Sequence, residues 1–309
     1  MESIIFVFLD GVGLGLADKS NPLWMAQTPT LRELLGAPLV NGLVVNRPGM
    51  LLKGIDACLG VEGLPQSATG QTSLFTGVNA AAAEGMHISA WPTTKLRHII
   101  TQHSLLKRAT EINLSATFAN AYSDRYWELV EKKRLRHSAS TLTNMAAGLP
   151  FRTLDDLRQG QAVYWDITHL AAREYYDLNV PLIPPQEAGA RLARLAQTHH
   201  LVMYETFLPD LVGHRRTSID AITLLDEMLD PFFAGLLDTI NTETTIVVSS
   251  DHGNLENSQS KAHTRNPVPL LVIGPDTDSF QNAAAITDIT NAILTTLSKK
   301  NSPTTRVGL

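Results

Sequence analysis

The stretch IIFVFLDGVG, residues 4–13, decides the fold. From Ile4 to Leu9 every side chain is β-branched, aromatic or aliphatic, and neither parity carries a polar residue. Such a run predicts a strand buried on both faces, as inside a parallel sheet. It stops on Asp10 and a glycine-rich turn. Three later segments have the same character: Leu201–Tyr204, which leads toward Asp210; Thr245–Ser249, which runs into Asp251, His252 and Gly253; and Pro269–Ile273, closed by Gly274 and Pro275. Helical patterns separate them, at Ile219–Leu237 and Ala284–Leu297, with another helix opened by Thr28 and Pro29. Strands alternating with helices predict an α/β sandwich around a mostly parallel sheet.

The middle of the chain reads differently. It mixes a charged helical stretch, Tyr126–Arg136, a candidate strand at Ser115–Asn120 and a proline-rich joint, VPLIPP, at 180–185. None of its strands ends in a polar cluster. Residues 83–197 are therefore expected to form an inserted α+β cap, with 1–82 and 198–309 making the core that carries the polar clusters at the strand ends. Trp91, Trp127 and Trp165 are read as core of that cap. His87, Arg97, Arg125 and His169 are pinned by no spacing, and isolated residues of these types are usually structural.

Across 309 residues, 44% are hydrophobic and 18% charged, ordinary for a globular protein with a sizeable core. A net charge of −5 gives no electrostatic reason to bind nucleic acid or an anionic membrane. Cys58 is the only cysteine, which excludes an intrachain disulfide and a zinc site built on several thiolates. The first apolar run has no basic flank and is too short for a signal sequence, and no stretch reaches the roughly 20 apolar residues of a membrane span. A cytoplasmic protein is the expectation.

Chemistry is expected at the carboxyl ends of the strands, where ligands gather in open parallel sheets. The first strand delivers Asp10 there, and a later one delivers Asp251 with His252. Between them, Ser67 opens a segment that looks helical up to Thr76 and Gly77. At a helix N-terminus, free N–H groups favour an alkoxide or a phosphate, although a serine there is more often a simple cap. Asp210 and His214, at i and i+4, can reach one ion from a single turn. His263 follows His252 by eleven residues, just ahead of another buried strand. Carboxylates with imidazoles suit Mn²⁺ or Zn²⁺. Taken singly, Asp10 could anchor the glycine turn, and the other clusters could be polar loops. GVGLG reads G-x-G-x-G, not the dinucleotide fingerprint G-x-G-x-x-G, and an acid precedes it.

Five segments in order, FLDGVG (8–13), SATGQTSLFTG (67–77), PDLVGHRR (209–216), SSDHGNLE (249–256) and AHTRNPVP (262–269), resemble the alkaline phosphatase superfamily. Within it they are similar to the phosphomutase branch, which holds cofactor-independent phosphoglycerate mutase and phosphopentomutase. The step from His252 to His263 is like phosphopentomutase, the step from Asp210 to His214 like phosphoglycerate mutase, and Gln71 stands where that branch carries His. The resemblance implies an alkaline-phosphatase-like three-layer sandwich. It implies one divalent ion held by Asp10, Asp251, His252 and the Ser67 oxygen, and a second held by Asp210, His214 and His263. It places the nucleophile at Ser67, the one hydroxyl with Gly70 and Gly77 at the family's spacings. Arg215 and Arg216 become candidates to grip a substrate anion, and Asn254 and Thr264 to support the ligands. The activity expected first is a phosphomonoesterase acting on a small phosphorylated metabolite through a phosphoserine. A phosphomutase is the alternative, a phosphodiesterase stays open, and a non-catalytic metal-binding descendant would have lost a ligand or the nucleophile. A sulfatase is disfavoured because Ser67 lacks the C/S-x-P-x-R context.

Overall fold

The computed structural model describes residues 2–174 and 176–301. Strands β1 (Ser3–Leu9), β2 (Val45–Arg47), β3 (Met50–Ile55), β4 (Ala116–Phe118), β5 (Leu201–Thr206), β6 (Thr244–Ser249) and β7 (Val268–Ile273) form one sheet in the order β2-β3-β7-β6-β1-β5-β4. The block β6-β1-β5-β4 is parallel, and β7, β3 and β2 add antiparallel neighbours at one side. The α/β sandwich with a mostly parallel sheet is borne out.

Strand β1 shows why. Ile5, Val7 and Leu9 face one helical layer, which includes Ala188 and Leu192 of helix Pro185–Leu195 and Phe232 and Leu236 of helix Asp230–Thr239. Ile4, Phe6 and Phe8 face the other, with Leu74 and Phe75 of helix Ser67–Thr76, Ile100 of Thr94–His103, and Ile289 and Ile293 of Thr287–Asn301. Each such side chain contributes about 1.5–3 kcal/mol when fully buried. A strand with apolar residues at both parities fits only between two layers.

Residues 83–197 are not all set apart from this sandwich, so the expected cap was drawn too wide. β4 pairs with β5 through Ala116–Leu201, Thr117–Val202 and Phe118–Met203. Helices Thr94–His103 and Ala139–Ala146 pack against Ser67–Thr76, and Pro185–Leu195 packs against Asp230–Thr239. What rises over the sheet edge is a smaller unit. It includes helix Asp124–Glu131 and a minor core around Leu157, Ala162, Tyr164 and Val180. The sequence hid this because β4 has three residues and ends on no acidic cluster.

The expected helix Ile219–Leu237 runs from Ala221 to Thr239 with a π-helical stretch, Leu224–Leu229, inside it. Pro231 has no N–H to continue the i→i−4 ladder, and the wider turn falls just before it. No helix among the described residues is long and apolar enough to cross a membrane.

Two glycines set the depth of one helical contact. A Cβ on Gly189 would overlap the Phe232 carbonyl oxygen, and one on Gly235 would overlap the Gln186 carbonyl oxygen. Gly235→Ala is expected to lower stability by about 1–3 kcal/mol through overpacking, read as a lower urea midpoint at unchanged m-value. An unchanged midpoint would show that the helices separate without cost.

Candidate metal centre and its cavity

Because β1 and β6 are parallel neighbours with Phe8 opposite Ser249, the residues that follow each strand emerge side by side. The chain turns after Asp10 at Gly11, whose φ is +74°, and a Cβ there would lie 2.9 Å from Asp210 atoms. Ser250 ties the two turns together, accepting from the Val12 N–H at 2.9 Å. As a result His252 Nε2 lies 3.4 Å from Asp10 Oδ1, 3.4 Å from Asp251 Oδ2 and 3.0 Å from Ser67 Oγ. Asp10 Oδ1 and Asp251 Oδ2 are buried without a hydrogen-bond partner among the described residues. Two carboxylate oxygens aimed at one point with nothing to satisfy them match a cation site.

The second group comes from β5. Helix Leu208–Gly213 follows it and carries Asp210, with His214 at its C-cap. His214 Nε2 is 3.3 Å from Asp210 Oδ2, and His263 Nε2 is 3.6 Å from Asp210 Oδ1. The two imidazoles approach to 3.1 Å between their Nε2 atoms. Each is oriented from behind, His214 Nδ1 donating to the Lys261 carbonyl at 2.7 Å and His263 Nδ1 to the Pro65 carbonyl at 2.8 Å. That arrangement assigns the proton to Nδ1 and turns the Nε2 lone pairs to the centre, as metal-ligating histidines require. The rings of His252 and His263 stack at 3.7 Å, which sets the groups Asp10, Asp251, His252 and Asp210, His214, His263 side by side.

Burial raises the Asp10 carboxyl well above its usual range, and the Asp251 charge adds to it. Burial likewise pushes Asp251 up to about 7, reinforced by Asp210. The same desolvation lowers His252 to about 3, so its imidazole is neutral at pH 7. Divalent ions would remove the charge excess that these shifts report.

Ser67 is the first residue of helix Ser67–Thr76, whose N-cap, Gln66, makes no side-chain capping bond. The glycines at the family's spacings have physical causes here. A Cβ on Gly70 would sit 2.8 Å from the Asp251 carbonyl oxygen, and Gly77 ends the helix at φ +75°. Gln71 donates to Asp10 Oδ2 at 3.1 Å, so it supports a ligand directly.

Asn254 donates to Asp210 Oδ1 at 2.9 Å. Thr264 acts one step further out, donating to Glu256. That residue escaped the sequence reading. Its buried carboxylate accepts from the N–H groups of Gly13 at 3.1 Å and Asn254 at 2.8 Å, from Asn266 Nδ2 at 3.0 Å and from the Thr264 hydroxyl. It pins the loops after β1 and β6 to the segment carrying His263. Glu256 lies inside SSDHGNLE, but nothing in that string marks a carboxylate that points inward. Arg215 and Arg216 are exposed. Arg215 donates to the Ser258 carbonyl at 2.8 Å, and neither arginine lines the cavity over the site.

That cavity is about 380 Å³, with Asp10, Ser67, Gln71 and Asp210 among the residues lining it. Trp91 and Trp165, expected as cap core, line it instead, and so does Arg125. Trp127 stands behind, stacked on Tyr122 at 5.5 Å. His87, Arg97 and His169 do not line it and bond to the carbonyls of Val61, Pro92 and Pro181.

A family profile described as the metalloenzyme superfamily matches residues 2–301, and the chain belongs to that superfamily. It is 31% identical over 109 residues to a 2,3-bisphosphoglycerate-independent phosphoglycerate mutase of Syntrophotalea carbinolica, covering 33% of this chain and 21% of the relative. A second such mutase, of Haloquadratum walsbyi, is 35% identical over 103 residues, 29% of this chain and 20% of the relative. The match thus spans about a fifth of these relatives' length. Among solved structures, the alkaline phosphatase of the Antarctic bacterium TAB5 aligns over 97% of this chain and 98% of its own, with TM-score 0.53 and 14% identity. The PH0037 protein of Pyrococcus horikoshii aligns over 96% and 97%, with TM-score 0.54 and 16% identity. The sequence resemblance to the alkaline phosphatase superfamily and its phosphomutase-like branch is therefore borne out, with the fold. Superfamily membership and the two ligand groups imply divalent metal ions.

Metal binding must displace the protons that burial retains on Asp10 and Asp251. Affinity for Mn²⁺ or Zn²⁺ is therefore expected to rise as pH climbs from 5 through about 7, with proton release. Calorimetry in two buffers of different ionisation enthalpy checks this. Binding that is independent of pH and releases no proton would contradict the assignment of these carboxyls as ligands.

Proposed function

We propose that this superfamily member is a phosphoryl-transfer enzyme that carries two divalent ions, Mn²⁺ or Zn²⁺, and uses Ser67 as its nucleophile on a small phosphorylated metabolite. The observation that carries the reading is the position of Ser67 Oγ, 3.0 Å from His252 Nε2 at the floor of the cavity. Asp10, Asp251, His252 and Ser67 would hold one ion, and Asp210, His214 and His263 the other. Bound there, the ions would lower the hydroxyl pKa and stabilise charge on the transferring group.

The chain's own residues set the rest. Ser67 gives up its proton and its oxygen bonds to phosphorus as the bond from phosphorus to the substrate oxygen breaks. The departing oxygen takes up a proton. The phosphoryl group then leaves Ser67 for a hydroxyl, and the serine regains a proton. If that hydroxyl belongs to the same molecule, the protein is a mutase; if it is water, a phosphomonoesterase. The names of the relatives support the mutase, ahead of the phosphomonoesterase that the sequence reading put first. Gln71, in place of the branch's His, favours keeping hydrolysis as the second reading.

Ser67→Ala is expected to abolish phosphoryl transfer, by a factor of at least about 10³, while leaving thermal unfolding within a few degrees. Mass spectrometry of acid-quenched wild-type protein should find phosphate on Ser67. Full turnover by the alanine variant would move the nucleophile elsewhere. Isomer formation without inorganic phosphate would establish the mutase, and phosphate release the hydrolase.

A further inference from the structure

The walls of the cavity are chemically unlike its floor. Seven aromatic side chains line it, those of Trp91, Tyr122, Tyr126, Tyr164, Trp165, Tyr176 and Phe207. They are held in place by one another. Trp165 stacks on Phe207 at 4.6 Å and 21°, while Tyr122 is wedged against Tyr126 at 4.8 Å, Trp127 at 5.5 Å and Phe151 at 4.8 Å.

Several of the polar groups in the wall are engaged within the protein. The Tyr122 hydroxyl pairs with Thr141 Oγ1 at 2.8 Å, and the Tyr126 hydroxyl with His137 Nδ1 at 3.0 Å. Ser138 bonds to Ser140 and Thr141, each at 2.8 Å. Asn120 closes on the backbone of Glu205 in both directions, at 2.9 and 3.0 Å. A polyol or a sugar buried here would lose its water without gaining matching partners, a cost of about 1–3 kcal/mol per unpaired group. The charged groups in the lining besides Asp10 and Asp210 are buried Glu205 and the exposed Arg125 and Arg136.

We propose, resting on the phosphomonoesterase form of the phosphoryl-transfer reading above, that the substrate is a phosphomonoester whose body is a flat apolar ring, with the phosphate over Ser67 and the ring among Trp165, Phe207 and Tyr122. A volume of about 380 Å³ lies near the lower end of the roughly 300–1,000 Å³ usual for ligand sites, which suits one or two rings. Offset or edge-on ring contacts add to the burial of the ring's area.

The test compares esters with similar leaving groups, so that a difference reports the body and not the chemistry. With metal-loaded full-length protein, 2-phenylethyl phosphate is expected to be turned over with kcat/KM about tenfold or more above glycerol 3-phosphate and 3-phosphoglycerate. Trp165→Ala should raise KM for the phenylethyl ester about tenfold more than KM for glycerol 3-phosphate, and Trp165→Phe should restore the preference. In parallel, quenching of tryptophan fluorescence in Ser67→Ala protein measures binding of the same esters without turnover. Equal or better use of the polar esters overturns the ring assignment and leaves phosphoryl transfer standing. If no ester is turned over and none leaves phosphate on Ser67, the phosphoryl-transfer reading falls and with it the substrate assignment. Tighter binding of the phenylethyl ester would then identify only a ring-binding pocket.

Discussion

Everything at the site follows from electron-rich atoms forced together. Asp10 Oδ1 and Asp251 Oδ2 flank His252 Nε2 at 3.4 Å each, and two more imidazole nitrogens face one another at 3.1 Å. Such an arrangement is repulsive by itself, and desolvation makes it worse. It persists because the strands that deliver it have no alternative place. β1, β5 and β6 are buried along their whole length, so sliding or tilting one of them to relieve the edge would expose large apolar side chains. The core supplies the stability, and the edge holds acceptors that only cations satisfy.

Closeness also has to be permitted sterically. Gly11 lets Asp210 approach the first turn, Gly70 lets the Ser67 helix reach the Asp251 backbone, and Gly213 leaves room for the Asn254 amide. A side chain at any of these points would push one ligand group away from its neighbours. Glu256 does the complementary job by attraction. With four donors from three separate segments, it fixes the loops that carry the ligands without presenting its own charge to the centre. Ligands at the carboxyl ends of strands sit on loops, and loops need such ties to hold positions fine enough for a metal.

What the sequence made legible was set by spacing. Ile4 to Leu9 announced a doubly buried strand, and Asp10, Ser67, Asp210, His214, Asp251, His252 and His263 stood in five segments whose order resembles the alkaline phosphatase superfamily. The structure assembles all seven. Less was legible where a contact is made by tertiary structure alone. Nothing in Tyr122, Trp165 or Phe207 tells a core ring from a cavity wall, since both are apolar and differ only in what lies opposite. Glu256 is silent for a similar reason, because an acidic residue in a polar loop is ordinarily solvated. Adjacent arginines such as Arg215 and Arg216 invite an anion on sequence grounds, while in the structure Arg215, at φ +56°, donates to the Ser258 carbonyl and neither lines the cavity. The cap was misjudged because a three-residue strand and amphipathic helices leave no punctuation in the chain.

The two ends of the cavity impose a direction on whatever enters it. At the floor, unpartnered carboxylate oxygens and a serine hydroxyl await charge; along the walls, hydroxyls already bonded to one another leave ring faces as the available surface. With divalent ions held by those carboxylates, a molecule with a phosphate at one end and an apolar body at the other would have one favourable orientation there, with its ester bond next to Ser67. Reversing it would place a dianion against Trp165 and Phe207 and an apolar group against Asp10. Both changes are unfavourable, so their costs add, and orientation is decided before any chemistry begins. Water also has few partners along such walls. An apolar body that fills them carries no second hydroxyl, so a ring substrate of this kind would pass its phosphoryl group to water, which ties the character of the walls to the hydrolase side of the choice between mutase and hydrolase.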